Sequence, residues 1–307
     1  MIDQNLIDLI TREVMKALGE AAGESAPAPE AESVRENDPA SGSMESSREN
    51  ADDPEGLIDL TSAEYKAGIQ LQDPENELAL RAMRRATTAR IGLGRAGNRP
   101  STRAMLSFRA DHAMAKDAVM KPVDQKFLDR MGLHTVVSKC GDINEHLTRP
   151  DLGRQLTDES IKYIEENCVK NPQIQIYVSD GLSNAAIENN AEDLLSILME
   201  GLKDQGIKLG TPFFVKYGRV PTMDKVSELT GAELTCVLIG ERPGLAASDS
   251  MSAYITYGAY VGISESSRTV VSNIHKNGIQ PVEAGAYLSE LLLKILEAKK
   301  SGVEFKQ

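Results

Sequence analysis

Apolar positions along this chain follow two kinds of pattern, and the change between them comes near residue 171. At the start, Ile2, Leu6, Leu9, Ile10, Val14, Ala17 and Leu18 recur at helical spacing and form one apolar stripe, which Gly19 ends. Residues 20–56 are Ala, Pro, Ser, Glu, Asn and Gly almost throughout. Such a segment cannot bury enough apolar surface to offset chain entropy, so disorder is expected there. The first helix is then tethered away from any core, and its stripe suits a docking or targeting helix. Helical spacing dominates from 57 to 170. Helices are expected from near Ser62, from Pro74-Glu75 to roughly Thr88, and from Ser101 or Thr102 to about Val119, with two more over 124–131 and 157–168.

Beyond 171, short apolar runs alternate with helical stretches. Strands are expected at 173–178, 212–216, 234–239 and 269–272, and helices at 184–205, 222–230 and 281–300. This alternation predicts an α/β fold: a Rossmann-like parallel sheet with flanking helices in the C-terminal half, preceded by a mainly helical region. Four segments follow: an amphipathic helix (1–19), an acidic linker (20–56), a mainly helical region (57–170) and an α/β domain (171–307).

Composition narrows the function. The 307 residues fit one or two domains, and with no tryptophan and 4% aromatics the core must be aliphatic. The net charge of -12 is concentrated in 20–56, where 11 acids face two arginines; residues 57–307 carry only -2. A nearly neutral body argues against general nucleic-acid binding. Cys140, Cys168 and Cys236 form no CxxC pair and no disulfide framework, which points to a reducing, cytoplasmic compartment. Neither a membrane span nor a secretory signal is expected. His112, His134, His146 and His275 are scattered, so no metal site is expected, and no nucleophile stands beside a base.

In a sheet of this kind, ligands bind outside the carboxyl ends of the strands. The segments there read Ser179-Asp180-Gly181-Leu182-Ser183, Tyr217-Gly218-Arg219-Val220, Gly240-Glu241-Arg242-Pro243-Gly244 and Ser272-Asn273-Ile274-His275. Asp180, Arg219, Glu241 and Arg242 are expected to converge. Backbone donors, a carboxylate and an arginine suit a large ligand covered in neutral amides. Two other strings mislead. Gly92 to Gly97 spells GxGxxG, but helix precedes it and Asn98-Arg99-Pro100 follows, so it lacks the context of a dinucleotide fingerprint. Asn273 to Gly278 approximates a cobalamin DxHxxG loop with Asn for Asp, yet lies near the C-terminal end, and His275 is not expected to ligate cobalt. Residues 81–109 contain eight arginines and no acid, which suits contact with an acidic protein surface.

The strings RIGLGRAGNRPSTRAMLSFRADHAMAKDAV (90–119), LTRPDLGRQL (147–156), SDGLSNAAI (179–187), GTPFFVKYGRV (210–220), GERPGL (240–245) and SRTVVSNIHKNGIQPVEA (267–284) together resemble the ethanolamine ammonia-lyase small subunit family, in its order and spacing. The resemblance implies an adenosylcobalamin enzyme whose cofactor is held base-on between a large and a small subunit. The large subunit, a barrel, carries the catalytic residues. Homolysis of the Co–C bond gives an adenosyl radical that abstracts hydrogen from ethanolamine; amino migration and elimination then give acetaldehyde and ammonia. On this resemblance 57–170 is the subunit-contact region and 171–307 the cobalamin-binding domain. Its cobalamin contacts fall at Val220, Glu241 and Val270, with Arg219 a further candidate and no catalytic residue on this chain. Many relatives carry cysteine where this chain has Val270, which bears on a side-chain contact there and not on one through the backbone. The resemblance also implies a hetero-oligomer with the large subunit, and residues 1–19 as an address into a bacterial microcompartment. Two rivals remain: a self-sufficient enzyme built on Asp180, Glu241 and Arg219, and a scaffold that binds a nucleotide in the same crevice.

Overall fold

The computed structural model describes residues 58–306; the expected helix of 1–19 and linker of 20–56 lie outside the described residues. The first helices are α1 (Ala63–Ala67), α2 (Glu77–Arg85), α3 (Thr102–Met120) and α4 (Gln125–Arg130). Ser62, Asn76, Ser101 and Asp124 cap them, each side-chain oxygen accepting a backbone N–H of the first turn. Between α2 and α3, β1 (Arg95–Ala96) and β2 (Arg99–Pro100) form a minimal antiparallel ladder. The GxGxxG string thus runs into a hairpin and opens no helix.

The remaining elements are β3 (His134–Val137), α5 (Ile143–Thr148), α6 (Asp158–Asn167), β4 (Ile174–Ser179), α7 (Asn184–Asp204), β5 (Phe213–Lys216), α8 (Thr222–Thr230), β6 (Leu234–Gly240), β7 (Met251–Tyr257), β8 (Thr269–Ile274) and α9 (Pro281–Ala298). Six strands form one sheet in the order β3-β5-β4-β6-β7-β8.

This corrects the expected all-parallel, Rossmann-like sheet. β3, β5, β4 and β6 run parallel, but β7 is antiparallel to both neighbours, so the sheet is mixed. The reason is local: no helix spans 241–250, and without a crossover the chain can only turn back beside β6. β3 and β7 were not expected. β3 falls within 57–170 yet pairs with β5, so the sheet draws a strand from each side of residue 171.

Period-two alternation sorts the sheet's side chains onto two faces. Ile174, Ile176, Val178, Leu234, Cys236, Leu238, Ala253 and Ile255 pack with the leucines of α7 and α9. On the other face, Val136, Tyr177, Phe213, Val215, Val237 and Ile239 pack with Ile164 of α6 and with Met223 and Val226 of α8. The helices after β4 and β5 therefore leave toward opposite faces, the arrangement that opens a crevice at the carboxyl ends of two adjacent strands. Among the described residues no helix is long and apolar enough to cross a membrane.

Candidate functional site

The loops after β4, β5 and β6 are bound to one another more than they are opened to solvent. Asp180 follows β4 and is buried; its carboxylate accepts the backbone N–H of Tyr217 at 2.7 Å and of Gly218 at 3.2 Å, which ties the β4 loop to the β5 loop. Those bonds hold Tyr217 in the left-handed region at φ 58°. Burial pushes the Asp180 carboxyl up to about 7, against the hydrogen bonds that pull it down. Gly240 ends β6 against the β4 loop: a Cβ there would run into the carbonyl oxygens of Asp180 and Ser183. Its glycine serves close approach of loop to loop.

Arg219 is similarly committed. Its Nη2 donates to the His146 carbonyl at 2.5 Å, and its Cγ lies where a Cβ on Gly153 would come within 2.8 Å. Its Nε is buried without a partner. His146 lies buried on α5, with Nε2–H donating to the Gly181 carbonyl at 2.5 Å; burial pushes its imidazole pKa down, which favours the uncharged ring. Asp180 and Arg219 are thus each bonded to a neighbouring loop or helix. Asp180 and Arg219 brace the loops, while Arg242 is exposed.

Glu241 occupies a different setting. Its N–H donates to the Ser250 carbonyl at 2.9 Å, and its carboxylate accepts the Ser250 hydroxyl at 2.8 Å and the hydroxyl of Ser252. Ser252, Tyr254 and Thr256 alternate with Met251, Ala253 and Ile255, which face the first core. Tyr254 is the cross-strand partner of Val270 on β8. Ser252, which bonds the Glu241 carboxylate, lies on the same sheet face as Tyr254, and burial and then that carboxylate push the Tyr254 phenol up. Val220, just before α8, packs with Tyr254 against the second core. Val270 is 45% exposed. Val220, Tyr254, Glu241 and Val270 thus share one sheet face, half open where it passes beyond α8. Tyr254 went unsuspected in the sequence; the alternation of MSAYITY was its available signal.

β8 is an edge strand with β7 as its one partner strand; its far end is covered where the Asn273 carbonyl accepts the Ile279 N–H at 2.9 Å, and the rest of the edge offers backbone N–H and C=O groups to a ligand. A carboxylate that accepts, an edge that donates and accepts, and valine and tyrosine surfaces fit a flat macrocycle rimmed with amides. This chemistry of the donor set accommodates a corrinoid. His275, by contrast, closes its own turn: Nε2 meets Asn273 Oδ1 at 2.9 Å, and Nδ1 accepts the Asn277 N–H at 3.4 Å. No group of three metal-ligating side chains exists among the described residues.

A second surface lies on the helices before the sheet. α2 buries no residue, and Leu78 is 82% exposed. Met83, Met105, Leu106, Phe108 and Met114 are exposed with it. Lys66 and Arg90 pair with the buried Asp111, each at 2.5 Å. Arg85, Arg95, Arg99 and Arg109 are exposed and have no ion-pair partner among the described residues. A cleft of about 980 Å³ is lined by Lys66, Arg81, Arg84, Arg85 and Arg90.

The architecture defines a mixed α/β protein with a half-open sheet face at the end of its central strand and a separate cationic, apolar helical surface. The profile of the ethanolamine ammonia-lyase light chain (EutC) matches residues 77–306. The chain is 51% identical over 253 residues to the ethanolamine ammonia-lyase small subunit of Fusobacterium nucleatum subsp. nucleatum, a match covering 82% of this chain and 86% of that one. It is 50% identical over 255 residues to the small subunit of the same name from Clostridium tetani (83% and 86% covered) and 47% identical over 253 residues to that of Listeria monocytogenes serovar 1/2a (82% and 86%). The chain belongs to the ethanolamine ammonia-lyase small subunit family.

Proposed function

We propose that this chain is the small subunit of an adenosylcobalamin-dependent ethanolamine ammonia-lyase, which converts ethanolamine to acetaldehyde and ammonia, and that it holds the cobalamin against a catalytic large subunit. One observation carries the reading: Glu241 stands on the half-open face shared by Val220, Tyr254 and Val270. Adenosylcobalamin, when bound, supplies the radical chemistry. The chain's own part is to hold and seclude. Val220, Tyr254 and Val270 offer apolar surface, Glu241 accepts hydrogen bonds from amide N–H groups, and the edge of β8 exchanges them. Ser250 and Ser252 fix the Glu241 carboxylate, so less side-chain freedom is lost when it binds. In this reading Arg219 acts by bracing the loop that carries Val220.

The partner reading rests on α2 and α3. Exposed Leu78, Met83, Leu106 and Phe108 beside unpaired arginines suit an interface with an apolar centre and acidic rim on the large subunit. Residues 1–19 are assigned as the address into a bacterial microcompartment, from their apolar stripe; fusing them to a fluorescent protein should target it to assembled shells, and a diffuse fusion would refute the assignment.

The functional test compares turnover and corrinoid retention with and without the large subunit. The isolated chain should deaminate no ethanolamine in excess adenosylcobalamin, and the pair should. Turnover by the isolated chain would favour the self-sufficient enzyme.

A further inference from the structure

Val220 and Val270 come from different elements, and something must set the distance between them. α8 begins two residues after Val220, and its start is pinned to the sheet centre, where the Thr222 hydroxyl lies 2.9 Å from the buried Tyr177 hydroxyl. β8 is an edge strand with a register shift against β7 between Met251 and Ala253, so its ladder locates it less firmly. Across the gap, Arg268, the residue before β8, donates two parallel bonds to Asp224 in the first turn of α8: Nη1 to Oδ1 at 2.8 Å and Nη2 to Oδ2 at 3.0 Å. The side chains are only 2% and 6% exposed. Nε of Arg268 donates to Glu265 at 2.6 Å, but Glu265 is largely in solvent. On the far side, the Ser301 hydroxyl bonds the Ser267 carbonyl at 2.5 Å and Gly302 N–H donates to Thr269 Oγ1 at 2.8 Å, which supports the start of β8 from the C-terminal turn.

We propose that the buried Arg268–Asp224 pair is a positioning clamp that fixes Val270 relative to Val220, and so sets the width of the corrinoid-binding face. The inference rests on the reading of that face given above. A planar, two-point guanidinium–carboxylate pair fixes angle as well as distance, which a lysine cannot do. A buried ion pair adds little net stability over apolar residues of similar volume, so the clamp's role is in geometry and not in stability. Arg268→Lys keeps the cation and loses the fork. Asp224→Leu with Arg268→Met removes both charges together and leaves no orphan. Glu265→Ala spares the fork.

The test is equilibrium binding of hydroxocobalamin to the complex assembled with the large subunit, followed by the corrin absorbance bands, with urea unfolding measured in parallel. Arg268→Lys and the double variant should weaken hydroxocobalamin at least tenfold per folded complex, with subunit assembly and the KM for ethanolamine unchanged. Glu265→Ala should bind as the unaltered chain does. If the Arg268 variants bind normally while Glu241→Ala binds weakly, the clamp is refuted and the face stands. Normal binding by all of them, Glu241→Ala included, refutes the face itself. Loss in Glu265→Ala equal to that in Arg268→Lys would also overturn the two-point argument.

Discussion

Asp180→Asn separates two opposed forces on one buried carboxyl. Burial disfavours its charge, while the N–H groups of Tyr217 and Gly218 favour it, and burial prevails, pushing the group up to about 7. An unfolded aspartate titrates near 3.9. A folded value above the unfolded one means that the folded chain binds the additional proton between those pH values. The group's contribution to stability therefore falls as pH rises from about 4 to about 7 and is level outside that window. Three units at about 1.4 kcal/mol each give an upper bound of about 4 kcal/mol for the fall. Asparagine does not titrate, but its single acceptor leaves one of the two N–H donors facing an NH2 group, at a cost of about 1–3 kcal/mol. At pH 5 the asparagine variant should be the less stable by that amount. The gap should close or reverse by pH 8, because only the aspartate chain loses stability over the interval. Urea unfolding of both chains at half-unit steps from pH 4.5 to 8 measures this directly. A gap that stays constant, or widens with pH, would show that the donors outweigh burial and would refute the reasoning.

Gly240→Ala should destabilise by about 1–3 kcal/mol, since its Cβ meets fixed carbonyls of the β4 loop and no flexible side chain; a denaturation midpoint equal to that of the unaltered chain would contradict this. Leu198→Ala, on α7 and fully buried in the first core, should cost about 2–5 kcal/mol in the same assay. Arg85→Glu with Arg109→Glu lies on exposed surface and should leave unfolding within about 0.5 kcal/mol, while weakening assembly with the large subunit at least tenfold; unaltered assembly by analytical ultracentrifugation would remove α2 and α3 from the interface.

Most helices were legible because caps and period announce them, whereas α5, six residues long, was not expected. Ser62, Ser101, Asp124 and Thr157 each cap a helix within a residue or two of the expected start, and α8 covers 222–230 as expected. β3 escaped because HTVV is four residues long and sits at the sheet edge. β7 escaped because the positions it turns to the second core are Ser252, Tyr254 and Thr256, polar side chains although Ser252 and Thr256 are fully buried, which makes MSAYITY read as half polar. Missing β7 made the sheet look parallel. The loops were correctly located at the strand ends, but a sequence gives a loop's place and not the direction of its side chains. Asp180 turns inward to hold the β5 loop, and half-buried Arg219 donates to the His146 carbonyl of α5. Glu241 gained its distinct setting only from Ser252 on the unexpected strand and from Ser250 just before it. Three widely spaced cysteines were read as forming no disulfide, and all three are free and buried.

The central claim is that a corrinoid lies on the face of β6, β7 and β8, between this chain and its large partner. The most direct measurement is a structure of the assembled complex with hydroxocobalamin bound, solved beside one of Glu241→Ala. The account predicts a corrin amide N–H within hydrogen-bond distance of the Glu241 carboxylate, the macrocycle edge against Val220 and Val270, and corrinoid affinity about ten- to a hundredfold lower in Glu241→Ala, as loss of a charge-assisted hydrogen bond of about 1.5–3 kcal/mol requires. A corrinoid bound wholly within the large subunit, or seated on this chain away from β8 with Glu241→Ala binding as tightly, would contradict it.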